Sequence, residues 1–122
     1  MIEAMRALEG EQADMELRLN VSCLLYSQGH GIPWHHDRPH SYEAEVYGCV
    51  LLNSSDTALE FHHTNHAGVL TQRYVIEELP GVCFAQRGAA RFKWLHGVPE
   101  VSRGERLSVT WRWFRPQVQM EY

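Results

Sequence analysis

Three histidines and an aspartate crowd into ten residues, GIPWHHDRPH (31–40). His35, His36, Asp37 and His40 could build a metal site, a catalytic dyad or a polar turn. Eight histidines in a chain of 122 residues is a high proportion. Imidazole is the commonest metal-ligating side chain, which brings a metal to the front of these choices. On an extended strand side chains alternate, so His35 and Asp37 point one way and His36 the other. An H-x-D step then offers one nitrogen and one carboxylate oxygen to a single ion, and a third ligand must come from elsewhere.

His96, in WLHGV (94–98), is the candidate third ligand. It closes an apolar, aromatic run in which an imidazole needs a partner. Two histidines and one carboxylate are the facial ligand set of non-haem Fe(II) sites, which leaves positions open for co-substrate and O₂.

Downstream lies RLSVTWRWF (106–114). Alternation puts Arg106, Ser108, Thr110 and Arg112 on one face and Leu107, Val109, Trp111 and Trp113 on the other. The apolar set is expected to pack against the rest of the protein or a second sheet, leaving the polar set to line an interior cavity. Buried arginines need anionic partners. A dicarboxylate suits them, because guanidinium matches carboxylate two hydrogen bonds at a time. The alternative is a solvated polar face on an edge strand.

The order H-x-D … H … R, with a second arginine six residues after the first and Tyr26 nine residues before His35, resembles the Fe(II)/2-oxoglutarate-dependent oxygenases, and their AlkB-like branch in particular. The block LPGVCFAQRGAARFKWLHGV (79–98) resembles that family's approach to its distal metal histidine, and the likeness spans about residues 20–114. The resemblance implies a double-stranded β-helix (jelly roll) in which His35, Asp37 and His96 hold Fe(II). Arg106 would pair with the distal carboxylate of 2-oxoglutarate and Arg112 would sit near its C1 end, with Tyr26 and Ser108 adding polar contacts. It further implies oxidation of a C–H bond with O₂, releasing succinate and CO₂. The favoured substrate is a methylated nucleic-acid base of DNA or RNA, undergoing N-demethylation or hydroxylation. The alternatives are a protein side chain, a small metabolite, a non-catalytic jelly-roll binding module, or a cupin-like metalloenzyme that does not use 2-oxoglutarate. Two positions depart from the branch: Leu24 stands where Asn is common, and Pro39 where an acidic base-reading residue is common.

Trp34, Arg38 and His40 flank the motif and are candidates for a substrate pocket. His36 and His30 read as surface or loop groups. HHTNH (62–66) lacks the ligand pairs of a structural zinc site. Arg38, Arg73, Arg87, Arg91 and Lys93 offer a basic rim for a phosphate backbone or a solvated face. The four tryptophans, Trp34, Trp94, Trp111 and Trp113, read as core.

These residues must be carried by short strands. LRLNVSCLLY (17–26), EVYGCVLLN (45–53), ALEFHH (58–63), GVLTQRYVIEEL (68–79), GVCFAQ (81–86), RFKWLHGV (91–98) and RLSVTWRWF (106–114) are rich in β-branched and aromatic residues and bounded by turn signals. That pattern predicts a mainly β sandwich, jelly roll or barrel, preceded by a short helix over 1–10. The length fits a single domain, 1–122, with its core at about 20–114. A net charge of −4 argues against a strongly basic surface. Cys23, Cys49 and Cys83 are far apart in sequence and predict neither a disulfide framework nor a zinc ribbon. No apolar run is long enough for a signal peptide or a membrane span, which predicts a cytoplasmic or nuclear protein.

Overall fold

A computed structural model describes residues 17–116, so the helix expected over 1–10 and most of the C-terminal tail lie outside the described residues. Eight antiparallel strands form two four-stranded sheets in the arrangement of a jelly roll. The major sheet has the order β1 (Leu19–Tyr26), β8 (Arg106–Trp113), β3 (Val46–Asn53), β6 (Cys83–Gln86). The minor sheet has the order β2 (Ile32–His35), β7 (Leu95–Val98), β4 (Glu60–Thr64), β5 (Leu70–Val75). No helix among the described residues is long and apolar enough to cross a membrane.

The inner faces follow from alternation. In β3, Val46, Gly48 and Val50 are buried. In β8, Arg106 and Ser108 are buried, so the polar face does turn inward. Leu59, Phe61 and Val98 form an apolar plug between the sheets, packed with Ile76, Phe84, Ala90 and Trp94.

Three expectations are corrected. The run 91–98 is not one strand: its start belongs to a single helical turn, α1 (Ala89–Phe92), and β7 begins at Leu95. The run 68–79 pairs only as far as Val75, after which the chain leaves the sheet edge. Among the described residues the apolar face of β8 meets no second sheet. Leu107, Val109, Trp111 and Trp113 lie half-buried on the outer face of the major sheet, beside exposed Leu19, Val21, Leu25 and Leu52 of neighbouring strands. There Trp111 stacks on Tyr47. The same outer row brings Cys49 opposite Cys83, sulfur to sulfur 3.0 Å, despite their distance in sequence.

Gly48 is required by packing. Its strand partner Phe84 lays its ring across the glycine, and a Cβ there would lie 2.2 Å from Phe84 Cζ. Gly48→Ala is expected to displace that ring and to cost about 1–3 kcal/mol, the usual penalty of overpacking, read as a lower denaturant midpoint at unchanged slope.

Candidate metal centre

The minor sheet delivers the two histidines face to face. His35, the last residue of β2, pairs in register with His96 of β7, and their rings lie 4.3 Å apart. Strict alternation would not do this. Ile32 pairs with Val98 and His35 with His96, so three steps on β2 are matched by two on β7. The extra residue is a β-bulge, and it turns His35 onto the face that Ile32 occupies. Trp34 is thereby sent to the other side, where it stacks on His62 at 3.7 Å.

Asp37 follows just beyond β2 and is buried. Its Oδ1 lies 3.3 Å from His35 Nε2 and 3.5 Å from His96 Nε2. Ligand atoms of the three residues all fall within 4.8 Å of one another, and no other such group occurs among the described residues. Adjacent ligands on an octahedral ion with bonds of about 2.1 Å stand about 3 Å apart. The two histidine–aspartate distances already approach that spacing, the three groups can close on one ion by small side-chain movements, and the nitrogen–oxygen mix suits Fe(II).

Neighbouring groups fix each of the three. His35 Nδ1 donates to the Pro33 carbonyl at 2.7 Å. A carbonyl can only accept, so the neutral ring keeps its lone pair on Nε2, the nitrogen facing Asp37. Arg112 donates to Asp37 Oδ2 at 2.5 Å and leaves Oδ1 for the histidines. Arg91, whose side chain is buried, donates through NH1 to the Asp37 carbonyl at 2.6 Å and holds the loop.

Burial pushes the Asp37 carboxyl up, but hydrogen bonds from His35 and His96 and the charge of Arg112 outweigh it and hold the group well below the usual carboxylate range. The hydrogen bond to Asp37 raises His35, with burial opposing and the Pro33 carbonyl adding to the rise. Protonated His35 thus stabilises the metal-free fold below its ordinary pKa of about 6.5, and that contribution is lost as pH rises through the raised value. A metal needs the neutral ring. Metal affinity, followed by calorimetry, is therefore expected to fall steadily as pH is lowered from about 8 to about 6. A flat profile would contradict His35 as a ligand.

The major sheet faces this cluster with the residues expected there. Tyr26 pairs across the sheet with Arg106, whose guanidinium lies 5.4 Å from the Tyr26 ring centre, and Ser108 accepts from Arg106 NH1 at 3.1 Å. Burial raises the Tyr26 phenol, while Arg106 opposes. A narrow cavity of about 80 Å³ is lined by His35, Asp37, His96, Tyr26, Arg106 and Arg112 among others. Four buried polar atoms without a partner belong to residues of its wall: Tyr26 Oη, Gln86 Oε1, His96 Nδ1 and Arg112 Nε. Buried polar atoms are normally satisfied, so such a wall suits a small polar ligand. Of these, Tyr26 Oη and Arg112 Nε could donate to a carboxylate ligand such as 2-oxoglutarate.

One group was not found in the sequence. Glu78, beyond the end of β5, turns its carboxylate inward onto Arg106: Oε1 accepts from Nε at 2.7 Å and Oε2 from NH2 at 2.6 Å. Both arginines of β8 therefore have partners within the chain, Glu78 for Arg106 and Asp37 for Arg112. Arg112, expected near the C1 end of a bound acid, lines the cavity and pairs with the candidate ligand Asp37.

The flanking candidates fare differently. Trp34, Arg38 and His40 are not in the cavity wall; Trp34 is stacked on His62 as described, and Arg38 and His40 are exposed in the following loop. His36 is exposed, and His30 accepts from Ser27 N within a turn. In HHTNH, His62 bonds Glu60 and His63 bonds Thr71. The basic rim is not continuous: Arg38 and Lys93 are exposed, but the other three are engaged elsewhere. Arg91 is buried at the Asp37 loop, Arg73 pairs with Glu60, and Arg87 approaches Glu45 at 4.0 Å.

An apolar cavity of about 350 Å³ lies beside the polar one and shares Phe84 and Gln86 with it; Phe61, Tyr74, Ile76 and Trp94 complete most of its wall.

No family model matches the chain, and no curated protein sequence matches it. Its fold is similar to that in the crystal structure of a Pseudomonas putida prolyl-4-hydroxylase, with a TM-score of 0.55 and 20% sequence identity over 93% of this chain. The chain spans 63% of the length of that protein. At this identity the likeness speaks for the fold alone, a mainly β jelly roll.

Proposed function

We propose that this chain is an Fe(II)- and 2-oxoglutarate-dependent dioxygenase that hydroxylates a side chain of a protein substrate. The observation that carries the reading is the convergence of His35, Asp37 and His96 at the mouth of a polar cavity inside a jelly roll. Fe(II), 2-oxoglutarate and O₂ together supply the oxidation of an unactivated C–H bond, with release of succinate and CO₂.

The chain's own residues have distinct tasks in this scheme. His35, Asp37 and His96 would hold the metal beside the cavity they line. Arg112, by engaging Asp37 Oδ2, would leave Oδ1 free for a metal, and Arg91 fixes the Asp37 backbone. The hydrogen bond from His35 to Pro33 sets the tautomer before the metal arrives. Tyr26, Ser108 and Arg106 would receive the acid, with Arg106 at its distal carboxylate.

A protein side chain is preferred to a nucleic-acid base on three grounds. Of the basic residues that could grip phosphates, Arg91 is buried and Arg73 is paired with Glu60. The protein of similar fold is a prolyl-4-hydroxylase, and an apolar cavity adjoins the proposed centre, where a ring or aliphatic side chain can be sheltered.

The test is a panel of proline-containing and other peptides beside methylated DNA and RNA oligonucleotides, scored for succinate and for product mass. A gain of one oxygen on a peptide is expected, with no formaldehyde from the oligonucleotides. Formaldehyde release from an oligonucleotide would overturn the substrate class. Failure of 2-oxoglutarate to produce the weak visible charge-transfer band with Fe(II)-loaded protein would overturn the co-substrate.

A further inference from the structure

We infer that Glu78 governs the co-substrate selectivity of this centre by occupying Arg106, the residue to which the distal carboxylate of a bound 2-oxo acid would go. The inference rests on the proposed reading of Arg106 as that anchor.

Glu78 is held from three sides. Besides its two bonds from Arg106, its Oε1 accepts from Leu59 N at 3.1 Å and from Asn53 Nδ2 at 3.3 Å. The side chains of Arg106 and Glu78 are only 3% and 1% exposed. The backbone on either side is pinned, by Ile76 N to the Leu59 carbonyl and by Gly81 N to the Val50 carbonyl. This is a seated ion pair inside the protein, neutral as a unit.

That neutrality decides what Arg106 can do. A guanidinium attracts a dicarboxylate because it is a buried cation with paired donors. Here the Nε–NH2 edge is filled and NH1 is engaged by Ser108. A second carboxylate brought to the same guanidinium would face the first at a few ångströms, where like charges in a low-dielectric site repel strongly. 2-Oxoglutarate therefore gains its distal contact only by expelling Glu78, and the cost of expulsion offsets most of the gain. A 2-oxo acid without a distal carboxylate, bound only through its carboxylate and keto oxygen, is indifferent to Glu78.

The experiment compares 2-oxoglutarate with 2-oxopentanoate, the same five-carbon acid lacking the distal carboxylate. Each is titrated by calorimetry into Fe(II)-loaded protein without O₂, so that turnover plays no part. In the unaltered protein the two acids are expected to bind within about tenfold of each other, a difference of about 1.4 kcal/mol. In Glu78→Gln, whose amide can still accept from Arg106 but returns the charge to the guanidinium, 2-oxoglutarate should tighten by at least about tenfold while 2-oxopentanoate stays within about twofold. A preference for 2-oxoglutarate above about a hundredfold in the unaltered protein would overturn the inference without any variant. So would an unchanged or reduced preference in Glu78→Gln. If Arg106→Met abolishes a strong preference that Glu78→Gln leaves untouched, Arg106 is the anchor and only the role of Glu78 is wrong. If neither acid binds to any form, the 2-oxo acid reading falls and the inference with it.

Discussion

Asp37→Ala is expected to lower metal affinity by at least about a hundredfold, since it removes one of three protein ligands and its loss exceeds that of an outer partner, worth about 10- to 100-fold. The same change is expected to destabilise the metal-free protein. Asp37 is the hub on which His35, His96 and Arg112 converge. Without it the Arg112 guanidinium, whose side chain is 16% exposed, loses its counter-charge. Breaking a fully buried pair costs about 3–5 kcal/mol, and partial exposure of Arg112 brings the expectation to about 2–3 kcal/mol. The sign with pH is fixed. The Asp37 carboxyl is depressed in the folded state, so its contribution is present above the ordinary carboxylate pKa of about 3.9 and is lost as pH falls through the depressed value. Denaturant curves for the unaltered and Asp37→Ala proteins should therefore stand furthest apart near neutral pH and converge in acid. Asp37→Asn separates the two roles: it preserves shape, softens the stability loss, and still loses the metal. Retention of metal by either variant would remove Asp37 from the centre.

Arg106→Ala is expected to have the larger effect on stability. It leaves the Glu78 carboxylate almost wholly buried with only Leu59 N and Asn53 as donors. An orphaned buried charge costs about 3–5 kcal/mol, a large part of the roughly 5–15 kcal/mol that holds a domain together. The cation over the Tyr26 ring is lost with it. The double variant Arg106→Met with Glu78→Met removes both charges and should recover much of the loss, because an apolar pair of similar volume often replaces a buried ion pair without penalty. A double-mutant cycle then gives a coupling of several kcal/mol of the same origin. Metal affinity should survive in both proteins wherever they fold, since neither residue belongs to the His–Asp–His group. A cost of Arg106→Ala below about 1 kcal/mol would mean the pair is not seated in solution as described.

The two predictions also mark what the sequence revealed and what it hid. Strand β8 was legible because its two faces differ so sharply: Arg, Ser, Thr and Arg against Leu, Val, Trp and Trp. That contrast placed Arg106 and Ser108 inside correctly. His35, Asp37 and His96 were legible as a set through residue type and order. Glu78 was not, because Glu77 and Glu78 end a run that reads as strand through residue 79, and alternation says nothing once the chain leaves the sheet after Val75. Arg91 was misread as part of a basic rim for a related reason. It sits in the helical turn Ala89–Phe92, where the strand alternation expected over 91–98 does not apply, and a buried arginine is rare enough that exposure is the natural expectation. The tryptophans of β8 were taken for core on hydrophobicity alone. Their half-buried place on the outer sheet face depends on which layer the fold puts beside them, and composition does not carry that information.

Copying the residues of this cluster into another protein would not copy its geometry. A designer who placed H-x-D on one strand of a regular hairpin, with a histidine opposite, would keep the ladder in step and could turn the first imidazole away from the second. In this chain, the mismatch between Ile32–His35 and His96–Val98 rotates His35 into place while Ile32 stays paired with Val98. A transplant must therefore carry the irregular backbone from Ile32 to Asp37, together with the small residue Gly97 opposite, where an added Cβ would meet the Ile32 carbonyl at 2.7 Å.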